Sequence, residues 1–199
     1  IEVLRLKPQT RCSDFEAVLE TGAEFGASEV LVAGNDPDEP RLTDSFAELC
    51  DRALAYGMFV HLEFMPWTDV PDLQKALRIV DQAGRENGGV LVDAFHFDRS
   101  GSRLDDLQQV EPSWLRYAQL CDVAGPRPAD MAEILRQARN ERRFPGDGDC
   151  DLSGLLRCLP ANTALSLEVP NRQVADPAQR AQLAIDKARA LLERLQLPA

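Results

Sequence analysis

Several protein classes are ruled out by what this sequence lacks. Its five cysteines (Cys12, Cys50, Cys121, Cys150 and Cys158) are odd in number and form no C-x-x-C pair. Neither a disulfide framework nor a zinc cluster is therefore indicated. Reduced thiols fit a cytoplasmic protein. No apolar run approaches the roughly 18 residues of a membrane span. Cations are scarce: 22 Lys and Arg stand against 33 Asp and Glu, for a formal net charge of -11. A nucleic-acid or anionic-membrane surface needs clustered positive charge, so both partners are excluded, while a local basic pocket for a small substrate is not. No G-x-G-x-x-G follows the first apolar run, which disfavours a dinucleotide site. No phosphate-cradling glycine loop, low-complexity segment or linker is evident.

What is present is a regular alternation. The 199 residues are 44% hydrophobic, enough for one domain with a sizeable core. Short apolar runs at residues 2–6, 29–33, 58–64, 90–93, 115–121 and 163–169 read as strands. Amphipathic stretches lie between them. Ser13 with Glu16 reads as a capping box opening one helix, and Thr43 as the cap of the next, which stops at Gly57. Further helical stretches fall at residues 72–83, 104–108, 132–140, 152–159 and 177–195. Strand and helix alternating six times imply parallel strands with crossover helices. The architecture is either an open doubly wound sheet or a barrel. Polar residues at the C-terminal ends of several strands favour a (β/α)8 barrel, whose active site lies at that face. Six units are two short of eight. The chain, residues 1–199 as one domain, is thus expected to be an N-terminally incomplete barrel that begins in mid-fold.

The polar strand ends carry the chemistry. V-H-L-E-F-M-P-W (residues 60–67) delivers Glu63 just before a proline-bounded loop. Asp93 closes V-L-V-D, Gln119 sits in Y-A-Q-L-C-D, and Glu168 closes L-S-L-E-V-P. A buried carboxylate without a partner costs several kcal/mol, so four such oxygen groups converging would suit a hard divalent cation.

These stretches together resemble the sugar phosphate isomerase/epimerase group of the xylose isomerase-like TIM barrels, the group of hydroxypyruvate isomerase, tagatose epimerase and inosose dehydratase. The resemblance runs along essentially the whole chain, which would cover strands three to eight of the barrel, with the first two βα units absent. It implies one divalent metal held by Glu63, Asp93, Gln119 and Glu168. Manganese or magnesium come first, with cobalt or zinc as alternatives; an amide oxygen suits a hard ion. It implies proton transfer beside a carbonyl by Glu63 and Glu168 through a metal-stabilised enediolate, with isomerase, epimerase and dehydratase outcomes all open. D-A-F-H-F-D-R-S-G resembles the family's D-x-x-H segment and gives His96 a place on a substrate oxygen. E-R-R-F-P-G-D-G-D resembles its R-x-x-P-G-x-G loop and gives Arg142, or its neighbour Arg143, a place on the far end of the substrate. Trp67 and Phe64 would wall a sugar skeleton or pack in the core. His61 would support a ligand or be a core histidine. Asp122 would orient a ligand or be exposed, and Arg99 would guard the entrance or lie on the surface. The implied partner is a sugar or keto-acid substrate, and family members often form homodimers. A phosphodiesterase on the same barrel would need many histidines, and only His61 and His96 occur. The non-enzymatic alternative is a sugar-binding barrel.

Overall fold

A computed structural model describes residues 1–197. Six strands form one sheet: β1 (Leu4–Leu6), β2 (Glu29–Gly34), β3 (Phe59–Glu63), β4 (Gly88–Asp93), β5 (Tyr117–Leu120) and β6 (Ala164–Leu167). Their order follows the sequence and every pairing is parallel. Helices α1 (Glu16–Glu24), α2 (Glu39–Leu54), α3 (Leu73–Ala83), α4 (Ala94–Ser100), α5 (Leu104–Leu107), α6 (Met131–Asn140), α7 (Leu152–Cys158) and α8 (Pro177–Leu195) run between and after the strands. No described helix is long and apolar enough to cross a membrane.

Alternation along each strand separates two faces. Val30, Val32, Val60, Leu62, Val90, Val92 and Leu120 point outward and pack with Leu42, Phe46, Leu49, Leu73 and Ile79 of the helices in one core. The intervening positions carry His61, Glu63, Asp93, Tyr117 and Gln119 on the inner face. The sheet is strongly curved. Arg116, beside β5, pairs with Glu29 of β2 at 3.1 Å, and the Tyr117 hydroxyl donates to Glu2 at 2.8 Å. In a flat sheet, strands three places apart would lie about 14 Å from each other. The six strands are therefore an open arc of a TIM barrel, with β1 and β6 as its edges. β6 is the least covered strand, and its Leu165 is 37% exposed.

The helix stops lie where glycine and polar caps place them, but two starts differ from expectation. Ser13 caps nothing: Cys12–Phe15 is a 3-10 turn leading directly into α1, with no side-chain cap. α2 begins four residues before Thr43, because the Asp38 carboxylate caps Arg41 N. Thr43 lies one turn inside and donates back to the Glu39 carbonyl at 2.9 Å. The stretch after Asp93, to which the sequence pattern assigns no element, is α4, capped by Asp93 itself and stopped by Gly101 at φ 75°.

Candidate active site

Glu63 and Asp93 end β3 and β4, Gln119 lies in β5, and Glu168 immediately follows β6. All four therefore sit at the C-terminal side of the sheet. Parallel pairing brings them together: Asp93 is in register with Gln119, and Gln119 with Ser166. Glu63, Asp93 and Glu168 each offer an oxygen within 4.8 Å of the others. The outer amide atom of Gln119 on that side, its oxygen as placed, lies 3.1 Å from both Glu63 Oε1 and Glu168 Oε2. Three mutually facing oxygens with no proton between them repel. Three arrangements relieve this: Glu63 takes up a proton and donates it to the amide oxygen, the amide turns to donate to both carboxylates, or a cation lies among them. Neighbouring oxygens on an octahedral ion such as Mg²⁺ are about 3 Å apart. The oxygen-only donor set and this spacing both fit a hard divalent metal.

The carboxylates are buried to different degrees. Glu63 is 4% exposed, whereas the Glu168 side chain is 43% exposed. Burial, then the charges of Asp93 and Glu168, raises the Glu63 pKa well above its ordinary value. The pKa of Glu168 is also raised, chiefly by burial, with Arg142 opposing. Each Asp93 oxygen accepts one hydrogen bond, Oδ1 from His96 N at 2.9 Å and Oδ2 from Arg142 Nη1 at 2.7 Å.

Arg142 and His96 complete the cluster. Arg142 is 3% exposed, and its guanidinium also donates to the Ala138 carbonyl at 3.1 Å and lies 3.3 Å from Glu168 Oε2. His96 Nε2 lies 3.6 Å from Glu63 Oε1, and its buried Nδ1 has no hydrogen-bond partner. Burial lowers the His96 pKa to about 4, so the ring is neutral near pH 7. The Trp67 ring meets it edge-on with centroids 5.0 Å apart. These side chains line a cavity of about 370 Å³ together with Glu2, Arg5, Met65, Arg139 and Pro170.

Of the seven site residues singled out in the sequence, Glu63, Trp67, His96, Gln119, Arg142 and Glu168 thus line one cavity, and Asp93 lies buried behind them against Arg142. Of the paired readings, the core one holds for Phe64 and His61, while those for Arg99 and Asp122 and the alternative at Arg143 are corrected. Phe64 is fully buried on the helix side, and Met65 takes its place beside Trp67. His61 faces the other end of the arc, where its Nε2 bonds Glu29 at 2.6 Å, too far down the strand to support the ligands. Arg99 is 1% exposed, neither at the entrance nor on the surface; it donates to the Ala124 carbonyl at 2.9 Å. Asp122 is buried and binds backbone N–H groups rather than a ligand. Arg143 does not line the cavity. Glu2 was missed: it comes to the cavity from β1's approach, and only the curvature of the sheet brings it to Tyr117 and Gln119.

Comparison with known proteins agrees with this arrangement. A family model described as xylose isomerase-like TIM barrel matches residues 6–194. The inosose isomerase of Bacillus velezensis is 27% identical over 170 residues, covering 79% of this chain and 59% of the relative. The 3-dehydroshikimate dehydratase of Pseudomonas aeruginosa is 30% identical over 178 residues, covering 85% of this chain and 27% of the relative. A solved structure described as IOLI protein with a binding zinc atom has a TM-score of 0.79 at 23% identity, covering 96% of this chain and 77% of that one. That last likeness speaks for the fold. The chain spans less than two thirds of the length of these curated relatives.

Proposed function

The chain belongs to the xylose isomerase-like TIM barrel family, and on that premise we propose that it moves a proton at the carbon beside a carbonyl of a sugar-like substrate, as a metal-dependent isomerase or epimerase. The observation that carries this reading is the convergence of the Glu63, Asp93 and Glu168 carboxylates, with the Gln119 amide 3.1 Å from Glu63 and Glu168, beside a cavity that a neutral His96 also lines. Those four residues would hold the ion, with manganese or magnesium favoured by the oxygen-only set and zinc kept as the alternative. When bound, the ion supplies Lewis-acid stabilisation of negative charge on the substrate oxygens.

The chain's own residues do the rest. Glu168, the more accessible carboxylate, takes the proton from carbon, and Glu63, on the opposite strand of the cluster, returns one. His96 offers an N–H to the substrate oxygen without carrying charge, as its lowered pKa requires. Arg142 pairs with Asp93 and holds its carboxylate in orientation. Trp67 closes one wall against the carbon skeleton. Return of the proton to the same carbon from the other face epimerises, and return to the neighbouring carbon isomerises. Loss of a β-hydroxyl instead dehydrates, the reading favoured by the likeness to 3-dehydroshikimate dehydratase.

The test is solvent exchange. With Mn²⁺ in D₂O, the protein should place deuterium beside the carbonyl of an inosose or consume 3-dehydroshikimate. Glu168→Gln should slow this by about 10²-fold or more. Binding of these compounds with no exchange and no turnover would contradict the proposal and leave a sugar-binding barrel.

A further inference from the structure

The loop that follows Arg142 is folded around one buried carboxylate outside the cavity. Asp122 is 1% exposed. One of its oxygens accepts from Val123 N at 2.8 Å and Cys150 N at 3.0 Å. The other accepts from Gly146 N and Gly148 N, each at 3.0 Å. Four backbone donors on one carboxylate gather the whole span 144–150 about a single point. Gly146 makes this possible with a φ of 85°, a region that favours glycine. Gly148 does so by close approach: a Cβ there would stand 2.2 Å from the Val123 carbonyl and 2.5 Å from Asp122 Oδ1.

The start of the same loop carries Arg142. Asp122 and Arg143 exchange two backbone hydrogen bonds at 2.8 Å. The Arg142 carbonyl accepts from the buried Asn171 at 2.9 Å, and Arg142 N donates to the Pro170 carbonyl. The Arg142 backbone is thereby clamped between β5 and the segment after β6, with its guanidinium aimed at Asp93 and Glu168. Neither Asp122 nor Asn171 lines the cavity.

We propose that Asp122 is a positioning residue, whose carboxylate sets the loop that delivers the Arg142 guanidinium to the carboxylate cluster. Its relevance to proton transfer rests on the function proposed above; the placement of Arg142 does not. An amide at position 122 would keep one accepting oxygen and turn an NH₂ group toward two backbone N–H donors, releasing one half of the loop.

The readout is the Arg142 Nε–H signal in nitrogen-resolved NMR spectra, identified by its loss in Arg142→Lys. Its bond to the Ala138 carbonyl is buried, so it should exchange slowly with solvent. In Asp122→Asn, with the remaining spectrum dispersed as in the parent, that proton should exchange about tenfold faster or more. Gly148→Ala, which displaces the carboxylate without altering it, should act the same way and serves if Asp122→Asn does not fold. Asp149→Asn is the control. It takes the charge from the carboxylate that accepts from Gly125 N but touches no bond to Asp122, and should leave the Arg142 signal as in the parent. Unchanged protection of Arg142 in Asp122→Asn or Gly148→Ala would overturn the proposal, as would an equal loss in Asp149→Asn. If Arg142 loosens as expected but no variant, parent included, exchanges substrate protons, then the positioning role stands and the proposed reaction fails.

Discussion

Glu63→Gln should stabilise the metal-free protein, the reverse of what most substitutions of a buried residue do. The Glu63, Asp93 and Glu168 oxygens lie within 4.8 Å of one another. At an effective dielectric of about 20, each like-charged pair at that distance costs about 3 kcal/mol. Arg142 pairs with Asp93 and Glu168 but supplies one positive charge between them, and the ion pairs it makes do not include Glu63. The folded protein limits the cost by holding a proton on Glu63 more tightly than the unfolded chain does, because burial and the neighbouring carboxylates raise its pKa. The folded state then holds a proton that the unfolded chain releases above about pH 4.3, so Glu63's contribution to stability falls as pH rises through that interval. Glutamine keeps the shape without the charge. In EDTA-treated protein at pH 8 the variant should be more stable by about 1–3 kcal/mol, which is a rise of about 3–8 °C in melting temperature for a chain of this size. At pH 5 the gap should shrink. Saturating Mn²⁺ should reverse the order, because a ligand at about 100 times its Kd adds about 2.7 kcal/mol to the parent alone. Thermal melts at two pH values, with and without Mn²⁺, decide the matter. A variant less stable than the parent without metal, or a gap that widens toward pH 5, would refute the reasoning.

Three further outcomes follow from particular residues. His96 keeps its ring neutral down to about pH 4, whereas an unfolded histidine takes a proton near pH 6.5, so metal-free stability should fall as pH drops between those values. The full effect is about 3 kcal/mol, and His96→Gln should flatten that limb in urea titrations from pH 7 to pH 4. Arg142→Ala leaves Asp93 buried without its partner and should cost about 3–5 kcal/mol in the same titrations. Gly89→Ala should destabilise by about 1–3 kcal/mol in thermal melts, since its Cβ would lie 2.4 Å from the Trp114 carbonyl and 2.7 Å from the Phe59 ring.

The sequence made legible what depends on local pattern. Apolar runs placed all six strands, and α8 spans residues 177–195 as its periodicity requires. Glu63, Asp93, Gln119 and Glu168 stood out because a polar group at the end of an apolar strand is costly without a purpose. What was hidden depends on contacts distant in the chain. His61 sits two residues before Glu63 on the same strand face, but its partner Glu29 lies 32 residues away. Glu2 joins the cavity only because the sheet curls until β1 and β5 face each other. Asp122 looks like any loop carboxylate until the fold brings four N–H groups to it. Helix α4 escaped notice because Asp93 ends a strand and caps the helix at once, leaving no turn between them. Thr43 reads as a cap from its residue type alone, whereas Asp38 holds the position, and Pro40 in the first turn is the signal that marks the earlier start.

The central claim is that four strand-end oxygens form one divalent-metal site. It is tested most directly by titrating metal-free protein with Mn²⁺ and reading free ion by electron paramagnetic resonance, parent against Glu168→Gln. The account predicts saturation at about one Mn²⁺ per chain in the parent, with affinity about tenfold weaker or more in the variant. No saturable Mn²⁺ binding in the parent, or binding that Glu168→Gln leaves untouched, would contradict it.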